Sequence, residues 1–165
     1  MALIRLNDQS LTNVTSAGLP SGSVIQVVQT VKADTFSVNS ATATAITGLS
    51  ASITPSSASN KILVMLSSQC CSTANYNVFV GVQRNGTDIE TVVHRIATDT
   101  AAEYREFPVQ LVRLDSPATT SSVTYQATLR SNGATAYINR PANQGGYVPS
   151  GNQSDSTITL MEIAG

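Results

Sequence analysis

From residue 23 onward the chain alternates apolar and polar residues, and this period of two restricts it to strands. Val123, Tyr125, Ala127 and Leu129 face one way; Thr124, Gln126, Thr128 and Arg130 face the other. The same pattern recurs over Asn77–Val82, Phe107–Leu111 and Thr157–Ile163. Lys61-Ile62-Leu63-Val64-Met65-Leu66 is a nearly continuous apolar run, short enough for a strand buried on both faces. Thr, Val and Ile enrichment favours the pleated state. No stretch carries a sustained helical period with caps.

Turn residues separate these runs. Asn85-Gly86 lies between Val78–Arg84 and Thr87–His94, which predicts a type I′ hairpin. Asn132-Gly133 predicts a second hairpin between Val123–Arg130 and Thr135–Asn139. Pro55, within Thr54–Asn60, cannot sit in a central ladder. Leu114–Ser121 forms another break. About eight to ten strands at this spacing predict an all-β, antiparallel two-sheet β-sandwich, jelly-roll-like. Immunoglobulin topology fits less well, because there is no Trp and no spaced Cys pair.

Composition narrows the function. The chain has 165 residues, a single-domain length, with only 12% charged residues and a net charge of −1. Ser and Thr make up about a quarter of it. Lys32 and Lys61 are the only lysines, which argues against nucleic acid as a partner. No apolar run is long enough for membrane insertion, and the opening residues lack a secretory h-region. The expectation is synthesis in a host cytoplasm, with exit by lysis. Sequons at Asn13, Asn85 and Asn152 then carry no weight. Adjacent Cys70 and Cys71 point to opposite faces of a strand and are poor disulfide partners. One is expected in the core, the other at a surface or interface.

Two segments depart from the strand rhythm. Residues 1–22 read as an extended N-terminal arm, with Ala2, Leu3, Ile4 and Leu6 as its anchoring apolar residues and Gly18–Gly22 as a hinge. The sandwich domain is expected over 23–165. Residues 140–154 read as a long polar loop of the kind that is usually functional. Arg140, Asn143, Gln144 and Tyr147 would give it adaptable hydrogen bonds and one flat ring. Three occupations stay open: contact with a ligand such as a host surface glycan, contact with a neighbouring subunit, and plain solvation.

No catalytic constellation emerges. There is no phosphate loop and no metal-spaced His or Cys group, so neither cofactor nor metal is expected. His94 is the only histidine, and it reads as a strand-end surface residue. Asp99, Glu103 and Glu106 are close in sequence, but Glu103 and Glu106 would face opposite sides of a strand. A glycosidase needs two carboxylates on one cleft. Calcium binding by loop carboxylates has no motif behind it.

The stretches Met1–Thr15 and Leu19–Gln29 resemble small virion proteins of tailed bacteriophages, especially aquatic ones infecting cyanobacteria and their relatives. Ser52–Val64, Leu114-Asp115-Ser116-Pro117 and the ending Ser156–Ala164 carry the same resemblance. It implies a non-enzymatic virion component of the tail-fibre-like kind, with other virion proteins as partners and no catalytic residues to carry over. A short fibre or appendage module anchored by the arm is the first expectation. A capsid decoration or cement protein between capsomers is the second, a carbohydrate-binding module the third, and a glycan-cleaving enzyme the last. Sparse charge and many small residues let outer strand faces pack together, which predicts a homotrimer.

Overall fold

The computed structural model describes residues 18–73, 76–95, 106–142 and 154–165. Ten strands run through them: β1 (Val24–Lys32), β2 (Phe36–Val38), β3 (Thr44–Ile53), β4 (Lys61–Ser72), β5 (Asn77–Arg84), β6 (Thr87–Arg95), β7 (Phe107–Asp115), β8 (Val123–Ser131), β9 (Ala136–Ile138) and β10 (Ser156–Ile163). The eight long strands divide into two antiparallel sheets, ordered β1-β10-β4-β7 and β3-β8-β5-β6. This is the two-sheet jelly roll expected from the alternation. The short β9 and β2 extend the first sheet to six strands.

The core forms where the inward halves of the alternations meet. Val78, Val80 and Val82 of β5 and Val123, Tyr125, Ala127 and Leu129 of β8 are buried. They join Ile62, Val64 and Leu66 of β4 and Ile158 and Leu160 of β10 in one cluster. Burying each large aliphatic side chain contributes about 1.5–3 kcal/mol. Asn85 (φ 48°) and Gly86 (φ 83°) both occupy the left-handed region, as a type I′ turn requires, and they join β5 to β6.

Three expectations need correction. Lys61–Leu66 is buried on one face only: Ile62, Val64 and Leu66 point inward, while Leu63 and Met65 are half-exposed. Burial on both faces comes further along β4, at Cys70–Ser72. Cys71 is accordingly fully buried, not at a surface, because the residues following β9 cover it. The turn at Asn132-Gly133 is not a hairpin. Both edges of β8 are already taken by β3 and β5, so the chain crosses to the other sheet to form β9. There Gly133, at φ 150°, lies against the ring of Tyr76 with no room for a Cβ.

The first sheet contains an interrupted strand. β10 pairs with Ser67–Lys61 of β4, and β9 continues along β4 at Cys70–Ser72. Cys70 faces Ile138 on one edge and Phe107 of β7 on the other, which puts β9 on the same edge as β10. The chain therefore leaves this strand path after β9 and rejoins it at β10. The neighbouring path breaks in the same place, between β1 and β2.

Candidate functional site: a clamped loop base and an uncharged sheet face

The segment expected to be functional, 140–154, is flanked by Asn139 and Ser156, whose side chains hydrogen-bond to each other. Asn139 is fully buried at φ 59°, a conformation Asn tolerates better than most residues. Its Nδ2 donates to the carbonyls of Lys32 (2.9 Å) and Asp34 (3.0 Å). The Ser156 hydroxyl donates to Asn139 Oδ1 at 2.6 Å. With its one proton spent there, Ser156 accepts from Ser68 Oγ at 2.7 Å. This buried relay joins β4, β10, the end of β9 and the break after β1.

Arg140 is the one predicted loop-contact residue within the described residues. It turns back on its own chain. Its Nε donates to the carbonyl of Pro141 (3.1 Å) and its Nη2 to that of Ala142 (3.2 Å), and the guanidinium lies 4.5 Å from the centre of the Tyr137 ring. Arg140 thus shapes the loop base. Asn143, Gln144 and Tyr147 lie outside the described residues, as do Ala2, Leu3, Ile4, Leu6, Asp99, Glu103 and the side chain of His94. The Cys71 thiol donates to the Arg140 carbonyl at 3.0 Å. Burial pushes both thiols up to about 12, with a smaller contribution from the Glu106 charge, so neither ionises near neutrality. Glu106 is half-buried. Burial raises its carboxyl, partly offset by Ser154, whose hydroxyl lies 3.4 Å away. Among the described residues no group of three His, Cys, Asp or Glu side chains could hold a metal ion, and no helix is long and apolar enough to cross a membrane.

Two polar clusters escaped the sequence reading. Glu162 is fully buried, and its carboxylate accepts from Gln26 Nε2, Ser56 N (2.7 Å), Ser56 Oγ (2.8 Å) and Asn60 Nδ2 (2.6 Å). Burial raises its carboxyl, but these donors outweigh burial and hold it below the usual range. The alternation contained the signal, since Ile158, Leu160 and Glu162 share the inward face. Across β4 in the same row, where Ile62 lies between it and Glu162, Asp115 of β7 accepts from Arg84 of β5 (2.8 and 2.9 Å) and from Tyr125 OH of β8 (2.7 Å). Burial and the Asp115 charge raise the Tyr125 hydroxyl, so it stays a donor. Both clusters tie segments together, and their polar atoms point at one another.

The two outer faces of the sandwich differ in chemistry. On the β3-β8-β5-β6 sheet, Ser52 and Thr124 share a hydrogen bond at 2.7 Å, Gln126 donates to the carbonyls of Ile46 and Leu49, and Arg130 covers Phe79 at 4.0 Å. The β1-β10-β4-β7 sheet is apolar outside. Cross-strand register aligns Val27, Met161, Leu63 and Leu114 in one row. Gln29, Thr159, Met65 and Val112 form the next, and Val31, Thr157, Ser67 and Gln110 a third. A β-bulge between Val24 and Gln26 also keeps Val24 outward, opposite Ile163. Val24, Val27, Val31, Val112 and Leu114 are 48–64% exposed. The three rows contain no charge; the row of Val24 and Ile163 continues to Lys61, an exposed charge at the rim of this face.

No protein-family model matches the chain, and no curated protein matches it. Among solved structures it is similar to the insecticidal delta-endotoxin Cry8Ea1 of Bacillus thuringiensis, at 16% identity over 79% of this chain and 20% of that one, TM-score 0.41. It is also similar to dimeric latent PorU of Porphyromonas gingivalis, at 6% identity over 92% of this chain and 14% of that one, TM-score 0.49. A third likeness is to the VP2 subviral particle of infectious bursal disease virus, at 15% identity over 85% of this chain and 37% of that one, TM-score 0.36. The chain spans 14–37% of the length of these proteins.

Proposed function

We propose that the chain is a non-enzymatic structural protein of a tailed-bacteriophage virion. In this reading it is a short fibre or appendage module, oligomeric, anchored by residues 1–22, with the sandwich body exposed. The observation that carries the proposal is the difference between the two outer faces. A face across four strands whose three central rows are charge-free and largely aliphatic, with Lys61 only at the rim, suits a subunit of an assembly, while the opposite face is more polar, with Val93 as its exposed large apolar side chain among the described residues. The resemblance of the Met1–Thr15, Ser52–Val64 and Ser156–Ala164 stretches to phage virion proteins supplies the kind of assembly. A jelly roll without a cleft of converging titratable groups among its described residues suits a structural part.

Negative-stain imaging of virions labelled with an antibody against this chain tests the proposal. Label on the tail supports the appendage reading. Label over the head favours a capsid decoration protein; the lack of heptads or a collagen repeat for a shaft speaks against a long tail fibre and fits both a short fibre and decoration. Particles that bind no label sink both readings. Host-glycan contact through the 140–154 loop stays part of the proposal. Tyr147→Ala tests it, with loss of adsorption and an intact oligomer as the supporting result.

A further inference from the structure

We infer that the outer face of the β1-β10-β4-β7 sheet is covered by the same face of a second copy of this chain. The inference deepens the proposed function and rests on the same surface, but it commits to the occupant.

Three features select that occupant. The first is charge. The three rows from Val27-Met161-Leu63-Leu114 to Val31-Thr157-Ser67-Gln110 carry no charged group, and the one charge beside them, Lys61 next to Ile163, lies at the rim of the face, so a charged partner gains little over the three rows and loses its hydration. The second is the state of the polar side chains on the face. Gln29 Nε2 donates to Thr159 Oγ1 at 2.8 Å, and Gln110 Nε2 donates to Ser67 Oγ at 2.9 Å. These groups bond sideways within the sheet, so an apolar surface can cover them at little cost in stranded hydrogen bonds. Each amide spends one N–H in this way and keeps its oxygen at the surface, where a facing glutamine of the same kind can donate to it. The partner must therefore be flat, neutral and largely apolar, with a few amide and hydroxyl groups, and an identical sheet face has these properties.

The third feature is size and shape. Four strands at about 4.8 Å spacing and roughly eight residues at about 3.3 Å each give a footprint of about 500 Å². Two such faces together cover on the order of 1,000 Å², the lower bound for a specific interface. Sheets of equal twist pack face to face at about −30°, as within the sandwich itself, so two copies meet without distortion. Identical faces that meet in this way are related by a two-fold axis, which closes the contact as a pair of copies.

Sedimentation and light scattering of the intact chain, with two substituted forms and a control, test the inference. The wild-type chain should run at a multiple of its 17.2 kDa mass at tens of micromolar. Val27→Asp with Val112→Asp should reduce it to 17.2 kDa with an unchanged circular dichroism spectrum. Val27→Thr with Val112→Thr, which suits a strand equally well, should raise the dissociation constant at least about tenfold. Ser52→Asp, on the other sheet, should keep the wild-type mass. A wild-type chain that stays at 17.2 kDa overturns the inference, as does a double Thr form that associates as tightly as wild type. A chain that self-associates through this face but labels no virion overturns the proposed function and leaves the inference standing.

Discussion

Glu162 of β10 accepts from four neutral donors on two other segments, so its ionisation is coupled to the packing of β1, the 54–60 connection and β10. Its carboxyl sits below the ordinary value of 4.5. The folded state therefore binds that proton less readily than the unfolded chain. The stabilisation is complete above the unfolded value and is lost as pH falls through the lower folded value. Glu162→Gln places a donor among donors. It should cost about 1.5–3 kcal/mol at pH 7 in urea unfolding and flatten the acid limb of the stability curve. An unchanged acid limb rules out this role. Glu106 acts in the opposite sense, because its carboxyl is raised, but it is half-exposed and its weight is small. Cys70 and Cys71, both pushed to about 12, should resist a thiol reagent at pH 8 in the folded chain and react fully in urea. Rapid labelling of either thiol contradicts their burial. At this scale the sequence shows which side chains face inward but not which polar ones find partners. The partners of Glu162 lie more than a hundred residues away in sequence, and no local pattern encodes that distance.

At the scale of elements, alternation located the long strands, and Asn85-Gly86 located the hairpin between β5 and β6. Gly86 sits at φ 83° with open space around it, so Gly86→Ala adds backbone strain without a clash. It should cost about 1–2 kcal/mol in thermal or urea unfolding. The destination of β9 was not legible from Asn132-Gly133, since the same dipeptide serves a hairpin wherever the preceding strand has a free edge. Strand β8 has none. Nor was the clamp across the loop base visible, because Asn139, Ser156 and Ser68 meet only once β4 and β10 are paired. Asn139→Ala strands the Lys32 and Asp34 carbonyls and the Ser156 hydroxyl. A loss of about 2–3 kcal/mol is expected, together with faster amide exchange at Ser156 and Asp34. Arg140→Ala removes the stacking on Tyr137 and should increase proteolysis within 140–154 while leaving the melting temperature nearly unchanged.

For the whole molecule, layer architecture followed from the sequence because a period of two requires a buried face and a second sheet to bury it. Which outer face stays apolar did not follow, since it depends on cross-strand register: Val27, Met161, Leu63 and Leu114 are scattered in sequence and meet only across four strands. The proposed anchor gives a separate test. Deleting residues 2–15 should leave the melting temperature almost unchanged and abolish incorporation into particles. A truncated chain that no longer folds assigns those residues to the core instead. The interrupted strand formed by β9 and β10 also separates what the body must preserve from what the 140–154 segment can vary. Strand register is set on either side of the break by pairing with β4, so the number of residues between Asn139 and Ser156 has no influence on it. Doubling such a segment costs only about 0.6 kcal/mol in closure entropy. The body is then a socket: a foreign peptide spliced in place of residues 143–153 should be carried at the same spot on the scaffold, and this genetic cassette could diversify without refolding the protein around it.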